Sequence, residues 1–343
     1  MHKTLTDGAR QQFPPDRINC FRVAPARPVP NLLQDARSGL LERPRSMPPK
    51  YFYDDRGARL FDAICDTQEY YPTRTEEALL QQHAREIIGL ARPDHIIEFG
   101  SGTSRKTRHL LDACAGLNRP VTYWPFDVCE PVLGEIGHAL LQDYDWLNVR
   151  PLLGDYHAGL DALPVPEGPC LYLFLGGTIG NFDSPDAHRF LVETCNRMRA
   201  GDHLVMGADR VKAHAVLHAA YNDSDGITAE FNLNLLEVLN RGLDADFDPG
   251  RFSHSAVYNA AREQIEMYLV ARERHQVRIG ALGSVIRFLD GESILTEISR
   301  KFSLESLQAM LTAAGYTLDR HYQPDNGYYS LVLTRPTSSR CEA

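Results

Sequence analysis

Residues 96–107 read IIEFGSGTSRKT. Ile96, Ile97 and Phe99 bracket the acid Glu98, Gly100-Ser101-Gly102 follows at once, and a polar run (SRKTRHLLDACAG) comes next. That is the order of a buried strand, a tight glycine turn and a helix starting near Ser104, an arrangement that frames a cofactor crevice in doubly wound folds. Gly100 and Gly102 permit positive φ and close approach of backbone to a ligand. Ser104 stands where a dinucleotide fingerprint has its third glycine. The turn therefore suits S-adenosylmethionine, which has no pyrophosphate to cradle, better than a nicotinamide dinucleotide. Taken alone it points only to an adenosine-type ligand by analogy of fold.

The pattern continues outward from this turn. VTYWPFDV and LNVRPLLGD read as the second and third strands, with EPVLGEIGHALLQDY a helix between them. CLYLFLGG is a fourth strand, apolar throughout as a central parallel strand should be. A helix opened by Ser184, with Pro185 at its first position, leads to HLVMGAD, the fifth. Such alternation implies a parallel sheet with right-handed crossovers. The rhythm breaks over residues 212–300. AEFNLNLLEVLNRGL reads as a helix, EQIEMYLVA and SVIRFLDGESILTEIS as antiparallel strands, the last pair turning at Asp290-Gly291. A Ser303-capped helix ending at Gly315 follows, then a hairpin around Asn326-Gly327. The expected fold class is α/β: a Rossmann-like class I methyltransferase sheet with an inserted α+β substrate domain.

Before the organising strand, residues 1–17 are expected to fray, and APARPVPNLL to run extended because its prolines resist a helix. Phe52, Leu60, Phe61 and Ile64 form an apolar helix face with its neighbouring turn. Thr73 with Glu76 offers a capping box ahead of the stripe Leu79, Leu80, Ala84 and Ile87. The expected division is residues 1–75 and 212–300 as the substrate-binding domain, and 76–211 and 301–343 as the cofactor-binding domain.

Charge and cysteine usage narrow the classes. The 343-residue chain carries a net charge of −9, which argues against nucleic-acid or anionic-membrane partners. No apolar run approaches a membrane span, no secretory segment is evident, and seven cysteines without Cys-x-x-Cys spacing suit reduced thiols in the cytoplasm. No His-Glu-x-x-His motif occurs among the histidines, so no metal is expected.

Chemistry concentrates at strand ends, where open α/β sheets bind ligands. Asp127 ends the second strand, where a carboxylate can accept both hydroxyls of a ribose. Asp155-Tyr156 closes the third. Gly176-Gly177-Thr178-Ile179-Gly180-Asn181 closes the fourth, and three glycines there mean that backbone must come close to something.

With FYDDRGARLFD, EYYPTRTE, EFGSGTSRKT, PFDVCE, GGTIGN, AAYNDSDGITAEFN, LNRGLDADFD, IEMYL and TEISRKFS in this order, the chain resembles the histidine-specific N-alpha-methyltransferase family, which forms hercynine in ergothioneine biosynthesis. The resemblance runs from about Tyr51 to the C-terminal hairpin. Cys129 and Gly177 stand where the family more often has serine, which bears on donor-pocket hydrogen bonds and removes no charge.

The resemblance implies that Tyr53, Gly100, Lys106, Asp127, Asp155, Tyr156 and Gly176 surround S-adenosyl-L-methionine, with Lys106 near its methionyl carboxylate. It implies that Tyr70, Asn181 and Tyr221 hold the substrate carboxylate. Glu297 and Ser299, two apart on a strand and so on one face, would read the imidazole nitrogens. Met267 would pack against that ring, and Thr228 would act through a water. The implied reaction is three successive methylations of the α-amino nitrogen of L-histidine, through its mono- and dimethyl forms. A monomer acting on a small molecule is expected. Three alternatives stay open: a nicotinamide oxidoreductase, which Ser104 and the terminal hairpin disfavour; a non-catalytic adenosine-binding or scaffold protein, which would need none of Asn181, Tyr221, Glu297 and Ser299 together; and an N-methyltransferase for an indole amino acid, which Glu297 and Ser299 disfavour.

Overall fold

A computed structural model describes residues 20–337. The extension expected over residues 1–17 and Cys341 lie outside the described residues. In chain order come β1 (Phe21–Arg22), α1 (Leu32–Leu40), β2 (Arg45–Ser46), α2 (Asp55–Asp66) and α3 (Tyr71–Ala91). Then follow β3 (His95–Phe99), α4 (Thr107–Cys114), β4 (Val121–Asp127), α5 (Glu130–Asp143), β5 (Leu147–Val149), β6 (Leu152–Leu153) and β7 (Cys170–Phe174). The next are α6 (Ser184–Arg197), β8 (His203–Asp209), α7 (His214–Tyr221) and α8 (Ile227–Leu243). The chain closes with β9 (Phe252–Asn259), β10 (Gln264–Ala271), β11 (His275–Ile279), β12 (Ser284–Phe288), β13 (Ser293–Arg300), α9 (Leu304–Ala313), β14 (Tyr316–Tyr322) and β15 (Tyr329–Pro336).

The main sheet runs β1-β6-β4-β3-β7-β8-β15-β14, with β5 also beside β4. β3 lies between β4 and β7, parallel to both, so the chain leaves it first to one side and later to the other. The crevice beyond its C-terminal end is thus the topological switch point, where open α/β sheets take ligands. β15 returns antiparallel to β8, and β14 antiparallel to β15. The reason β7 is buried on both faces is visible in its sequence, Cys-Leu-Tyr-Leu-Phe, with no polar alternation. One face of the sheet packs Phe99, Phe126 and Phe174 against Phe190 of α6 and Leu307 of α9; the other packs Ile96, Tyr123 and Leu173 against Leu80 and Ile87 of α3.

A separate core joins Ala36, Phe52 and Ile64 from before β3 to Leu235, Leu239, Ile265 and Ile294 from the 212–300 stretch. The four-stranded sheet β2-β13-β10-β9 forms its floor. Met267 faces Glu297 in the β10–β13 register, with a bulge after Met267.

Several expectations are corrected. The segment before residue 32 is extended as far as Asn31, but Asn31 and Gln34 then make a capping box that starts α1. Phe21–Arg22 pairs with β6, so this end of the chain joins the main sheet rather than the second core. The helix expected near Ser104 begins at Thr107, because Ser104 itself has φ of 52° and still belongs to the turn. Asp183, not Ser184, caps α6. The third strand is broken into β5 and β6 around Arg150-Pro151, since proline cannot donate to a ladder. β12 and β13 do not form a hairpin with each other: β12 pairs with β11 and β13 with β10. The Asp290-Gly291 turn joins two different sheets, a connection that alternation alone cannot distinguish from a hairpin. At the C-terminus the hairpin stands, with Asn326-Gly327 inside a longer loop, Gly327 N donating to Pro324 O.

Candidate functional site

The glycine turn after β3 sits on a buried carboxyl. Gly100 (φ 68°) and Gly102 (φ 47°) take the conformations that L side chains resist. Beneath them Glu98 accepts from Thr107 Oγ1 at 2.7 Å and from the Tyr123 hydroxyl, which also meets Ser104 Oγ at 2.7 Å. Burial pushes the Glu98 carboxyl up to about 7, against these hydrogen bonds. Asp127, at the end of β4, reaches across to the turn: its Oδ2 accepts from Gly102 N and its Oδ1 from Cys129 N, both at 3.1 Å. Asp155 caps the short turn after β6 by accepting from His157 N at 2.8 Å. Tyr156 lies under Gly100, its ring edge 3.7 Å from where a Cβ on Gly100 would be, and packs among Phe174, Phe182 and Phe190.

Glu76 does not complete a capping box. α3 begins at Tyr71, with Tyr70 at the cap position, so Glu76 lies inside the helix and points into the crevice. It is fully buried, accepts from Gly176 N with both oxygens (3.0 and 2.8 Å) and from the Tyr329 hydroxyl at 2.8 Å, and pairs with Lys106. Gly207 makes room for it, since a Cβ there would overlap the carboxylate. One acid thus ties α3 to the loops after β3 and β7. Lys106 and Gly176 are brought together by it, which the sequence reading did not foresee.

The other wall is the second sheet. Gly180 touches β13 so closely that a Cβ would stand 2.8 Å from Arg300 O and 3.5 Å from Ser299 Oγ. This contact sets the loop ending in Asn181 against Glu297 and Ser299. Burial pushes the Glu297 carboxyl up to about 7, although Lys301 draws it down. Tyr70 and Tyr221 meet edge to face at 6.1 Å between centroids. The Tyr70 phenol is held far above its ordinary pKa by burial and then by its neighbours, among them Tyr221 and Glu297. Tyr53 leans edge-on against Phe61 and Phe231 while 49% of the residue stays accessible. The crowding of its hydroxyl end, with Glu297 and Tyr156 nearby, likewise raises its pKa. Met267 is buried opposite Glu297. Thr228, at the start of α8, is buried beside Asp223, to which its backbone N donates at 2.8 Å.

Three charged residues of this wall were absent from the sequence reading. Lys301 donates to Tyr221 Oη at 2.8 Å and Ser299 Oγ at 2.9 Å, and pairs with Asp209 Oδ2 at 2.9 Å. Lys212 pairs with Asp209 Oδ1 and donates to the Tyr71 hydroxyl. Burial alone would raise Asp209, but the two lysines outweigh it and hold its carboxyl below the usual range. The available signal was position: Asp209 closes β8, a strand end like those of Asp127 and Asp155, and Lys301 lies within the quoted TEISRKFS stretch.

Among the described residues no group of three His, Cys, Asp or Glu could hold a metal ion, and no helix is long and apolar enough to cross a membrane.

A profile described as histidine-specific methyltransferase, SAM-dependent, matches residues 32–336. The chain belongs to this family. A histidine N-alpha-methyltransferase from Mycobacterium tuberculosis is 43% identical over 302 residues, covering 88% of this chain and 94% of the relative. Ergothioneine biosynthesis protein 1 from Neurospora crassa is 31% identical over 86% of this chain, which spans 34% of that longer protein. An L-tryptophan methyltransferase from Psilocybe serbica is 26% identical over 90% of this chain and 93% of its own. Membership makes the chain an S-adenosylmethionine-dependent methyltransferase of the histidine-specific kind.

Proposed function

We propose that this enzyme methylates the α-amino nitrogen of L-histidine three times, with the mono- and dimethyl amino acids as intermediate substrates, and that it works as a cytoplasmic monomer. The observation that carries the reading is the meeting of two walls at the switch point: the Gly100–Gly102 turn with Asp127 on one side, and Glu297, Ser299 and Met267 on the other.

The residues at the strand ends fit S-adenosylmethionine. A carboxylate offers about four lone-pair positions. Asp127 uses two on Gly102 N and Cys129 N, which leaves two for the hydroxyls of a ribose. Asp155 and Tyr156 border the adenine side, while Gly100 and Gly176 leave backbone uncovered beside the ligand, and Tyr53 closes over it. Lys106, held by Glu76, supplies positive charge toward the methionyl carboxylate. When bound, this cofactor supplies a methyl group on a sulfonium that is already a good leaving group, so the chain need form no covalent bond to substrate.

The protein's work is alignment and selection of the neutral amine. An α-amino group has a pKa of about 7.7–8.0, so loss of its proton costs little near neutrality. Tyr70 and Asn181 hold the substrate carboxylate by neutral donors, and Tyr221, whose hydroxyl donates to Ser299, lines that end of the pocket. They press no fixed anion on a nitrogen that ends as a permanent cation, and they leave room for added methyl groups. Glu297 accepts from one imidazole nitrogen, and the Ser299 hydroxyl donates to the other. Met267 supports the ring and Thr228 acts through a bridging water. Apart from β1, which pairs with the main sheet, the same arrangement supports the described residues up to 75 together with 212–300 as the substrate-binding part, and 76–211 with 301–337 as the cofactor-binding part.

The test is incubation of the purified protein with S-adenosylmethionine and a panel of amino acids, read by mass spectrometry. Histidine should gain one, two and then three methyl groups. Substituting Glu297 by Ala should raise KM for histidine sharply and reduce its kcat/KM advantage over phenylalanine, because sites built to hydrogen-bond a group reject analogues lacking it by about 10⁴–10⁵. An unchanged ratio would remove Glu297 from imidazole recognition.

A further inference from the structure

The ammonium of Lys301 is completely enclosed, with no side-chain surface accessible. A lysine has three N–H donors and no acceptor. All three are accounted for by Asp209 Oδ2 at 2.9 Å, Tyr221 Oη at 2.8 Å and Ser299 Oγ at 2.9 Å. Because each N–H has a fixed taker, both hydroxyls must accept from behind. Tyr221 Oη lies 2.9 Å from Ser299 Oγ and donates to it. The serine oxygen then has both lone pairs engaged, one by Lys301 and one by Tyr221. Its own proton has only the pocket left to point into.

We infer that Lys301 is a positioning residue that sets the hydrogen-bond polarity of the substrate pocket, making Ser299 an obligate donor and orienting Tyr221. The inference rests on the reading above of Ser299 as a hydrogen-bond donor to the imidazole. A serine hydroxyl free to rotate would serve as donor or acceptor and so would tolerate either imidazole tautomer. With Lys301 and the Tyr221 hydroxyl it orients both donating to it, Ser299 donates only. Beside Glu297, which accepts when ionised, it matches one tautomer and rejects a ring turned over. Asp209 makes this arrangement tolerable in a buried place. It holds Lys301 with one oxygen and Lys212 with the other, and both Asp209 oxygens also receive the Tyr71 hydroxyl. Removing the Lys301 charge therefore does not strand Asp209 without a cation.

The backbone places Lys301 where one residue can do this. Lys301 N donates to Glu263 O at 2.7 Å, and Phe302 N to Asp209 O at 2.9 Å. β13 is thereby stitched to the end of β8 just after its last pocket residue. The acid behind the lysine thus comes from the main sheet, and the hydroxyls before it from α7 and β13.

The experiment is a double-mutant cycle on the full chain, with initial rates of methyl transfer to L-histidine. Lys301→Met, Ser299→Ala and the double variant are compared with the wild type. Loss of a hydrogen bond to a charged group should raise KM roughly 10- to 100-fold in Lys301→Met, with kcat much less affected. Ser299→Ala should raise KM in the wild-type background and add little in Lys301→Met, because the serine there has already lost its enforced direction. Lys301→Gln keeps two N–H donors without the charge. It should recover part of the lost affinity, and it serves as the test lysine variant if Lys301→Met does not fold. KM within about twofold of wild type for Lys301→Met, or KM penalties that simply multiply with those of Ser299→Ala, would overturn the inference. A wild type that leaves histidine unmethylated would instead overturn the substrate reading on which it rests.

Discussion

Glu297→Gln tests whether the pocket carboxyl is as perturbed as its surroundings require. Burial raises its pKa from 4.5 to about 7, with Lys301 as the opposing influence. In the unfolded chain it returns to 4.5. Between those values the folded protein binds more protons than the unfolded one, so stability must fall as pH rises through this window. Below about 4.5 the carboxyl is neutral in both states and costs nothing; above about 7 it is ionised in both and the full cost is present. At 1.36 kcal/mol per pH unit the gap corresponds to about 3 kcal/mol. Partial solvent access to the side chain reduces this, and about 2 kcal/mol is the expected size. Glutamine keeps the shape and never ionises, so the variant should lack this slope. The assay is urea unfolding of both proteins from about pH 5 to about pH 8, reading the difference in ΔG at each pH. Glu98, also pushed up to about 7, slopes the same way, but it is present in both proteins and cancels. The variant should gain on the wild type steadily as pH rises, by about 2 kcal/mol in all. A difference that stays level within about 0.5 kcal/mol would show that Glu297 ionises without penalty, and the burial held to raise its pKa would be wrong.

Three other outcomes follow from the same geometry. Asp127→Ala should weaken S-adenosylmethionine binding by roughly 1.5–3 kcal/mol, measured by calorimetry, with nicotinamide cofactors bound by neither form. Gly180→Ala should force β13 away from the loop after β7, since its Cβ would meet Arg300 O at 2.8 Å. A cost of about 1–3 kcal/mol in stability is expected, with a larger proportional loss in kcat/KM for histidine than in cofactor affinity. Glu76→Ala leaves Lys106, Gly176 N and the Tyr329 hydroxyl without their shared acceptor. Breaking a buried pair from one side costs about 3–5 kcal/mol, so thermal unfolding should show a fall several times larger than that for Glu77→Ala, whose partner Arg105 is exposed.

Much of this protein could be read along the chain because the relevant forces act locally. Strand and helix betray themselves by the spacing of apolar residues, so β3, β4, β7, β8 and the helices between them lie close to where periodicity put them. Gly100, Gly102 and Gly176 announce backbone turns, which need only their own φ angles. Asp127 and Asp155 were legible as candidate groups because a strand end is a place in sequence as well as in space. Local pattern says nothing of a residue whose role depends on a distant partner. Glu76 looked like half of a capping box with Thr73, three residues away; its actual partners are Lys106, Gly176 and Tyr329, and only the packing of α3 across the strand ends brings them together. β12 and β13 looked like one hairpin because alternation says which face a residue takes and not which strand lies beside it. Lys301 looked like an ordinary charged residue after a strand. It became part of the pocket only when the end of β13 was joined to that of β8, setting Asp209 behind it and Tyr221 and Ser299 before it. A charge can remain buried only if its counter-charge arrives with it, and that requirement is met in three dimensions, between Asp209 and Lys301, 92 positions apart in the chain.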